Sequence, residues 1–300
     1  MKTLSTLAEA LQFGLDCEAQ ARFADAARVY QRLLELGVTG SLKGESASVI
    51  VYKSLIRCLA RSDMAQAIAA FERLMPLLDK PRDTAFDRIY LRGLQRTQSY
   101  PLPVKRIYRH LELSRLLRAT RALEGAVAEC GCFRGLSSYI LLSHLQLDHP
   151  GHAGAGFHVF DSFAGLSEPG AEDTPPEDGS AEGERIRAMC RPGYFSATLG
   201  EVRAALAEFP QVKFHPGWIP HSFDAQPERH YRFVHVDVDL YAPTLACFEY
   251  FWPRLVDGGA MVCDDYGWPG GRRAVDQFAQ ARRLRVTTNE HRQAVLHKSD

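Results

Sequence analysis

Two short acidic clusters near the carboxyl end of the chain constrain its fold more than any other feature. Asp237-Val238-Asp239 follows the apolar run 233–236, and Asp264-Asp265 follows the apolar run 260–263. Short apolar runs of this kind are typical of strands buried on both faces of a sheet. The acids therefore stand at the predicted carboxyl ends of two strands, where ligands bind in open α/β sheets.

Carboxylates that crowd together raise one another's pKa values unless a cation lies between them. A hard divalent cation is the simplest way to keep all of these acids ionised. A set of oxygen ligands suits Mg²⁺ far better than it suits zinc or copper. The two clusters therefore predict a magnesium site at one edge of the sheet.

Apolar and amphipathic segments alternate from residue 126 to the carboxyl end. Strands are predicted at 126–130, 157–160, 212–214, 233–236 and 259–263, with helices at 136–147, 243–255 and 272–282. This alternation predicts an α/β domain in which helices cover both faces of a mostly parallel sheet. The stretch 166–184 interrupts the alternation with seven acids and no Lys or Arg. We predict a mobile loop there, positioned to act as a lid.

Residues 1–98 predict a small all-α module that precedes a second domain at 99–300. Phe23–Leu34 and Met64–Met75 share a pattern of small and aromatic residues at an offset of 41 residues. Each follows another amphipathic segment, so the pattern indicates two helical hairpins that resemble a pair of tetratricopeptide-type repeats. The module is expected either to cap the sheet domain or to bind a protein partner or a second copy of the chain.

Composition limits the partners that the chain can have. Lys plus Arg and Asp plus Glu number 36 each, so no net charge attracts nucleic acid or an anionic membrane. The first residues lack the apolar core of a signal peptide, and no stretch approaches the length of a membrane span. The seven cysteines form no pair of CxxC units. We therefore expect a cytoplasmic protein with reduced thiols and no nucleic-acid or membrane partner.

The first strand of the second domain ends in a glycine-containing turn. Gly131 and Gly135 follow Glu129 and let the backbone turn sharply and approach a ligand closely. The dinucleotide fingerprint GxGxxG would need a further glycine, which disfavours a nicotinamide enzyme. Asp161 ends the next strand, where an acid can accept both hydroxyls of a ribose. These residues together predict a nucleoside-containing ligand.

Five stretches between residues 100 and 300 resemble the macrocin O-methyltransferase family of class I methyltransferases that use S-adenosyl-L-methionine. They are Glu129–Gly135, Phe160–Leu166, Gly193–Ser196, His235–Tyr241 and Asp264–Gly267 with the following Arg273–Phe278. The family includes enzymes that methylate mycinamicin and novobiocin sugars. The resemblance implies a Rossmann-like methyltransferase sheet and an Mg²⁺-dependent transfer of methyl to a hydroxyl. The acceptor would be a small molecule or glycan, most simply a sugar on a natural product.

The resemblance also assigns the cofactor contacts by position. Glu129 would bond the amino group of the methionine part, and Asp161 would hold the ribose. Further contacts with S-adenosylmethionine are expected from Gly131, Gly135, Ser137, Ser162, Gly217 and Trp218.

By the same resemblance, Asp237, Asp264 and Asp265 would be the Mg²⁺ ligands and Asp239 the general base. An alcohol is too weakly acidic to attack a sulfonium methyl at neutral pH unless a cation stabilises the alkoxide and a base takes the proton. His235 lies beside these acids, but a histidine on an apolar strand is expected to be a hydrogen-bonded core residue.

Two other functions remain open from the sequence. Asp237-Val238-Asp239 also resembles the DxD motif of metal-dependent glycosyltransferases, although that interpretation leaves Glu129–Gly135 and Asp264-Asp265 without a role. The chain could also be a non-catalytic interaction protein that binds a partner through its helices, although the intact acids argue against this. The acceptor itself could be a sugar, a phenol or a modified peptide.

Overall fold

The computed structural model describes residues 7–42, 45–78, 83–99, 105–175, 180–224 and 226–298. The chain divides into two compact units, Met1–Ile107 and Tyr108–Asp300. The sequence placed the domain boundary between residues 98 and 99, which is nine residues before this division.

Five helices account for most of the described part of the first unit. They are α1 (Leu7–Ala19), α2 (Phe23–Glu35), α3 (Ala47–Leu59), α4 (Met64–Leu74) and α5 (Thr84–Thr97). Successive helices from α1 to α4 pack against one another, so both hairpins expected from the sequence are present. Two residues of β1 (Ser41–Leu42) pair antiparallel with two of β2 (Glu45–Ser46), so this unit is not purely helical.

A partly buried polar group joins the first three helices. The hydroxyl of Tyr30 on α2 donates to Glu18 on α1 at 2.7 Å, and Arg57 on α3 donates to the same carboxylate at 2.6 Å. Gly14 allows the close approach of α1 and α2, because a Cβ there would lie 2.6 Å from the Tyr30 ring. These contacts hold the helices as one packed group.

The second unit is built on a seven-stranded sheet with the order β5-β4-β3-β6-β7-β9-β8. Its strands are β3 (Ala126–Cys130), β4 (Phe157–Asp161), β5 (Lys213–Pro216), β6 (Tyr231–Val236), β7 (Leu255–Cys263), β8 (Thr287–Thr288) and β9 (Ala294–His297). Neighbouring strands from β5 to β7 are parallel, and β9 and β8 are antiparallel. This confirms the predicted α/β class. The chain order reverses between β3 and β6, which is the position where ligands bind in such sheets.

Helices cover both faces of the sheet. They are α6 (Lys105–Ala119), α7 (Leu136–Asp148), α8 (Ala181–Met189), α9 (Leu199–Ala205), α10 (Tyr241–Phe251) and α11 (Pro269–Arg282). Val127 and Phe233 point into the core shared with α6, α7 and α9, whereas the next residues, Ala128 and Val234, point into the core shared with α10 and α11. This alternation follows from the two-residue period of a strand, and it explains why β3 and β6 are apolar throughout.

Several elements differ from the sequence prediction. The stretch 166–184 is not a continuous loop, because Ala171–Asp173 forms a 3₁₀ turn and α8 begins at Ala181. The antiparallel strands β8 and β9 were not predicted. Short elements of two to four residues carry too few positions for a periodic pattern to be recognised.

None of the helices in the described ranges is long and apolar enough to cross a membrane. All seven cysteines carry free thiols, and only Cys190 is partly exposed.

Candidate active site

The four acids of the two clusters meet at the carboxyl ends of β6 and β7. The strands pair in register up to Val236 and Cys263, so the residues that follow lie side by side. Oxygen atoms of Asp237, Asp239 and Asp265 lie within 4.8 Å of one another, which is close enough to hold one metal ion. This trio is called the acidic centre below.

Asp264 belongs to a second group, with His235 and Asp237. Its carboxylate forms an ion pair with Arg109 on α6 and accepts a hydrogen bond from Gln293 Nε2 at 2.6 Å. Burial alone would raise its pKa, but Arg109 and His235 together hold the pKa of Asp264 far below its usual range. The predicted ligands Asp237, Asp264 and Asp265 therefore span two groups of side chains.

Asp265 lies in the opposite electrostatic environment. It is buried, and burial together with the carboxylates of Asp239, Asp237 and Asp264 raises its pKa well above the usual value. Its Oδ2 accepts the backbone N–H of Asp239 at 2.8 Å, and Asp239 has a left-handed backbone with φ of 60°. A bound cation would restore the ionised form of Asp265, so the donor set fits a hard divalent metal.

Glu129 and His235 connect this edge of the sheet to β3. Glu129 is fully buried and accepts bonds from His235 Nδ1, at 2.9 Å, and from the Ser138 hydroxyl. His235 Nε2 lies 3.8 Å from Asp264 Oδ1, beyond hydrogen-bond distance, so that contact is ionic. Burial would lower the pKa of His235, but the two carboxylates raise it to about 10. His235 is a core residue as expected, and it is also a buried cation between two acids.

This environment bears on the cofactor role expected for Glu129. Each oxygen of its carboxylate already has a partner inside the protein, so a bond to a cofactor amino group would have to share one of them. That role stays a prediction.

The glycine turn after β3 packs against the residues that carry the acids. Gly131 has φ of +79°, and a Cβ there would overlap the carbonyl oxygen of Asp237 and lie 2.7 Å from its carbonyl carbon. Gly135 has φ of +86° and precedes α7, where a Cβ would meet Val202 at 3.3 Å. The glycine at 131 is therefore required for the close approach of the two loops.

Asp161 joins the same turn to the end of β4. Its Oδ2 accepts the N–H groups of Cys132 and Phe133 at 2.7 and 3.3 Å, and its Oδ1 accepts that of Phe163 at 2.7 Å. A carboxylate oxygen has two lone pairs, so Oδ1 keeps one position for a further donor such as a ribose hydroxyl.

The other predicted cofactor residues lie around Asp161 and the start of α7. Ser137 is buried in the first turn of α7, and the Ser162 hydroxyl donates to Gly165 O at 2.8 Å. The N–H of Gly217 donates to Asp161 O at 2.9 Å, and the adjacent Trp218 is 43% exposed. Trp218 thus follows a residue that is bonded to the Asp161 backbone, and its exposed indole is available to a planar ligand.

Three residues of the site were not recognised from the sequence. Arg109 and Gln293 fix Asp264, and Asp173 reaches the start of α10. No pattern in the sequence indicated that Arg109, on α6, would contact Asp264.

Residues 105–294 match the family described as Macrocin-O-methyltransferase (TylF). The chain belongs to this family. The match includes every predicted site residue and ends before the carboxyl terminus. It begins after the five helices of the first unit, so the tetratricopeptide-like character of those helices stays a prediction.

Two curated proteins illustrate the relationship to the macrocin O-methyltransferase family. The chain is 31% identical over 158 residues to the 8-demethyl-8-(2,3-dimethoxy-alpha-L-rhamnosyl)-tetracenomycin-C 4'-O-methyltransferase of Streptomyces olivaceus. It is 28% identical over 163 residues to the demethyldecarbamoylnovobiocin O-methyltransferase of Streptomyces niveus. Each match covers 51% of this chain and 58% of the relative, so the chain spans little more than half the length of either protein.

Solved structures show the same fold. The O-methyltransferase NovP superposes with a TM-score of 0.54 at 20% identity, covering 79% of this chain and all of that chain. The calicheamicin methyltransferase CalS11 superposes with a TM-score of 0.53 at 17% identity, covering 74% of this chain and 95% of that chain. The predicted methyltransferase sheet is thereby confirmed.

Proposed function

We propose that this protein transfers a methyl group from S-adenosylmethionine to a hydroxyl of a sugar carried by a natural product or glycan. Family membership supports methyl transfer, and the relatives named above are O-methyltransferases of a rhamnosyl tetracenomycin and of a novobiocin precursor. The observation that carries the proposal is the direct packing of the Gly131 turn on Asp237. It brings a turn suited to a cofactor next to acids suited to an acceptor hydroxyl.

The cofactor is proposed to lie along the turn after β3, at the point where the strand order reverses. Asp161 Oδ1 has a lone pair left for the ribose, and Trp218 offers an exposed ring near the same strand end. Gly131 and Gly135 would let the backbone pass close to the methionine part.

Mg²⁺ is proposed to bind among the acids of β6 and β7. The residues that would hold it are Asp237, Asp264 and Asp265, as the family resemblance implies. When bound, the metal supplies positive charge that favours the alkoxide form of the acceptor hydroxyl. Asp239 would accept the hydroxyl proton at its carboxylate, beside Asp237 and Asp265.

The grouping of the side chains also favours a second assignment of the metal ligands. Asp239 lies in one group with Asp237 and Asp265, whereas Asp264 is paired with Arg109 and Gln293. In this assignment Asp239 completes the ligand set and Asp264 orients Asp237 and His235. The two assignments predict different responses of the Asp239→Asn variant to added metal.

The experiment that tests the proposal combines binding and turnover. Calorimetric titration with S-adenosylmethionine should show binding without metal, and methyl-labelled cofactor should label rhamnosylated acceptors in the presence of Mg²⁺. Excess chelator should abolish labelling, and added Mg²⁺ should restore it. Binding of a nucleotide sugar in place of S-adenosylmethionine would support a glycosyltransferase instead. Binding of neither compound would leave the non-catalytic alternative.

A further inference from the structure

A turn between β4 and α8 is fixed to the start of α10. Asp173, at the end of this turn, is 5% exposed, and its Oδ1 accepts the N–H of Tyr241 at 2.7 Å. Its Oδ2 accepts the N–H of Gly170 at 2.8 Å, which closes the turn on itself. Tyr241 is the first residue of α10, and the preceding Leu240 has no side chain able to cap the helix. Asp173 therefore supplies the missing cap from a distant part of the chain.

The start of α11 makes room for the same carboxylate. A Cβ at Gly270 would overlap Asp173 Oδ1 and lie 2.8 Å from the backbone nitrogen of Tyr241. Gly270 is the second residue of α11, so Asp173 stands near the amino ends of two helices. The positive ends of both helix dipoles favour a carboxylate at this position.

These two helices directly follow the two acidic clusters. Only Leu240 separates Asp239 from α10, and α11 begins four residues after Asp265. The Gly170–Asp173 turn is consequently attached to the backbone that carries the acidic centre.

Cys190, at the end of α8, gives a separate indication that the segment containing the turn and α8 lies near the acidic centre. The pKa of the Cys190 thiol is raised to about 11 by burial and by the carboxylates of Asp173 and Asp239. Cys190 is thus close enough to both Asp173 and Asp239 for their charges to affect its thiol.

We propose that Asp173 is a positioning residue that holds the Gly170–Asp173 turn beside the acidic centre, where the turn forms one wall of the acceptor pocket. The acceptor part of this inference rests on the proposed methyl transfer, whereas the attachment of the turn does not. The wall comes from a loop and not from the sheet, so its shape can select among acceptors without altering the acids. Asp173 binds the backbone of Gly170 and Tyr241 through its two carboxylate oxygens, and it would act on the acceptor through the turn that it holds.

The first measurement is hydrogen exchange of the backbone in the whole protein, without ligands. Asp173→Ala should raise the exchange rate of the peptide that contains Tyr241 by about 5- to 30-fold, the range expected when one capping carboxylate is lost. Asp173→Asn keeps one carbonyl oxygen and should have a smaller effect. Glu168→Ala is the matched control, because Glu168 is an exposed acid on the same loop. It should leave this exchange rate unchanged.

Gly270→Ala tests the same attachment from the opposite side. The new methyl group would displace the Asp173 carboxylate without removing its charge, so exchange should rise as it does in Asp173→Ala. Alkylation of Cys190 should also become faster in Gly270→Ala. Displacement of the Asp173 carboxylate away from Cys190 would also lower the thiol pKa and add to the faster reaction.

The second measurement is steady-state turnover with the rhamnosylated acceptor that the wild type methylates fastest. Asp173→Ala should raise KM for the acceptor by about 5- to 30-fold, while calorimetric affinity for S-adenosylmethionine stays at the wild-type value. Unchanged exchange in both Asp173→Ala and Gly270→Ala would overturn the attachment. Faster exchange with an unchanged acceptor KM would overturn the wall. If the wild-type protein transfers no methyl group, the result would count against the proposed function and against the role of the turn in the acceptor pocket. The hydrogen-exchange measurements would then decide by themselves whether Asp173 attaches the turn to α10.

Discussion

The contact between Gly131 and Asp237 allows the sharpest test of how the fold assembles this site. In Gly131→Ala, the new Cβ would lie 2.7 Å from the Asp237 carbonyl carbon, whereas ordinary van der Waals contact begins at 3.4 Å. The carbonyl oxygen of Asp237 would be closer still, so the two loops must separate by more than about 0.7 Å. Both are held by the sheet, since Gly131 N–H donates to Phe160 O at 2.9 Å and Asp237 N–H donates to Cys130 O at 2.8 Å. Neither loop can retreat without weakening these bonds.

Two energetic contributions add in this variant. An alanine in left-handed backbone costs roughly 1 to 2 kcal/mol, and overpacking against rigid backbone costs roughly 1 to 3 kcal/mol more. Gly151→Ala is the matched control, because Gly151 also has a positive φ, of +91°, but nothing lies within 4 Å of a Cβ there. The difference in unfolding free energy between the two variants isolates the contact with Asp237.

Chemical denaturation and turnover together decide the outcome. We expect Gly131→Ala to be less stable than Gly151→Ala by about 2 kcal/mol, and its turnover to fall by roughly 10- to 100-fold, because a shift approaching 1 Å separates cofactor and acids. Gly151→Ala should keep wild-type turnover. Equal stability and equal turnover in the two variants would show that the close approach at Gly131 has no bearing on the site.

Three further predictions concern single side chains. Asp161→Ala should weaken S-adenosylmethionine binding by about 1 to 3 kcal/mol in calorimetry, and an unchanged affinity would remove Asp161 from the cofactor site. Asp239→Asn should lower turnover by about 10² to 10⁴-fold at saturating Mg²⁺ if Asp239 is the base, whereas Asp237→Asn should be partly rescued by added metal. Rescue of Asp239→Asn by Mg²⁺ would favour its role as a ligand. His158 lies 2.9 Å from His215, and burial together with Arg229 lowers its pKa to about 4. As the pH is lowered from about 6.5 to 4, the unfolded chain therefore takes up a proton at His158 that the folded chain does not. The free energy of unfolding should fall over this range, and the fall should be larger in the wild type than in His158→Gln by up to about 3 kcal/mol. Parallel pH profiles from urea unfolding would contradict this.

The two environments of the acids explain why four carboxylates can be kept at one edge of the sheet. Asp264 has its charge matched by Arg109, so its ionised form is stable without metal. Among the described residues Asp265 forms no ion pair, and the acids around it outweigh the charge of Arg109, so a bound cation would favour its ionised form. Asp264 thus has a protein partner for its charge, whereas a metal bound beside Asp265 would supply the positive charge that its ionised form lacks.

Much of the sheet could be predicted because each of its longer strands is encoded by a few consecutive residues. The run Ala126–Cys130 was predicted with the bounds that the structure has, and Asp237 and Asp264 follow strands that pair in register. An apolar run followed by acids indicates both that a strand forms and where the strand ends. Helices α8 and α9 were missed because their short, charged sequences lack a clear apolar face.

The sequence by itself determined the class of fold, the carboxyl-edge position of the acids and the family, because each depends on residues close together in the chain. Only the tertiary structure decided which partner each acid received. Arg109 reaches Asp264 across 155 residues, and Asp173 caps α10 across 68. A salt bridge or a helix cap of this kind leaves no local pattern, since it depends on where the packed sheet and helices bring distant backbone together. The pKa of each carboxyl group follows from that placement, and so does the division of the four acids into two groups.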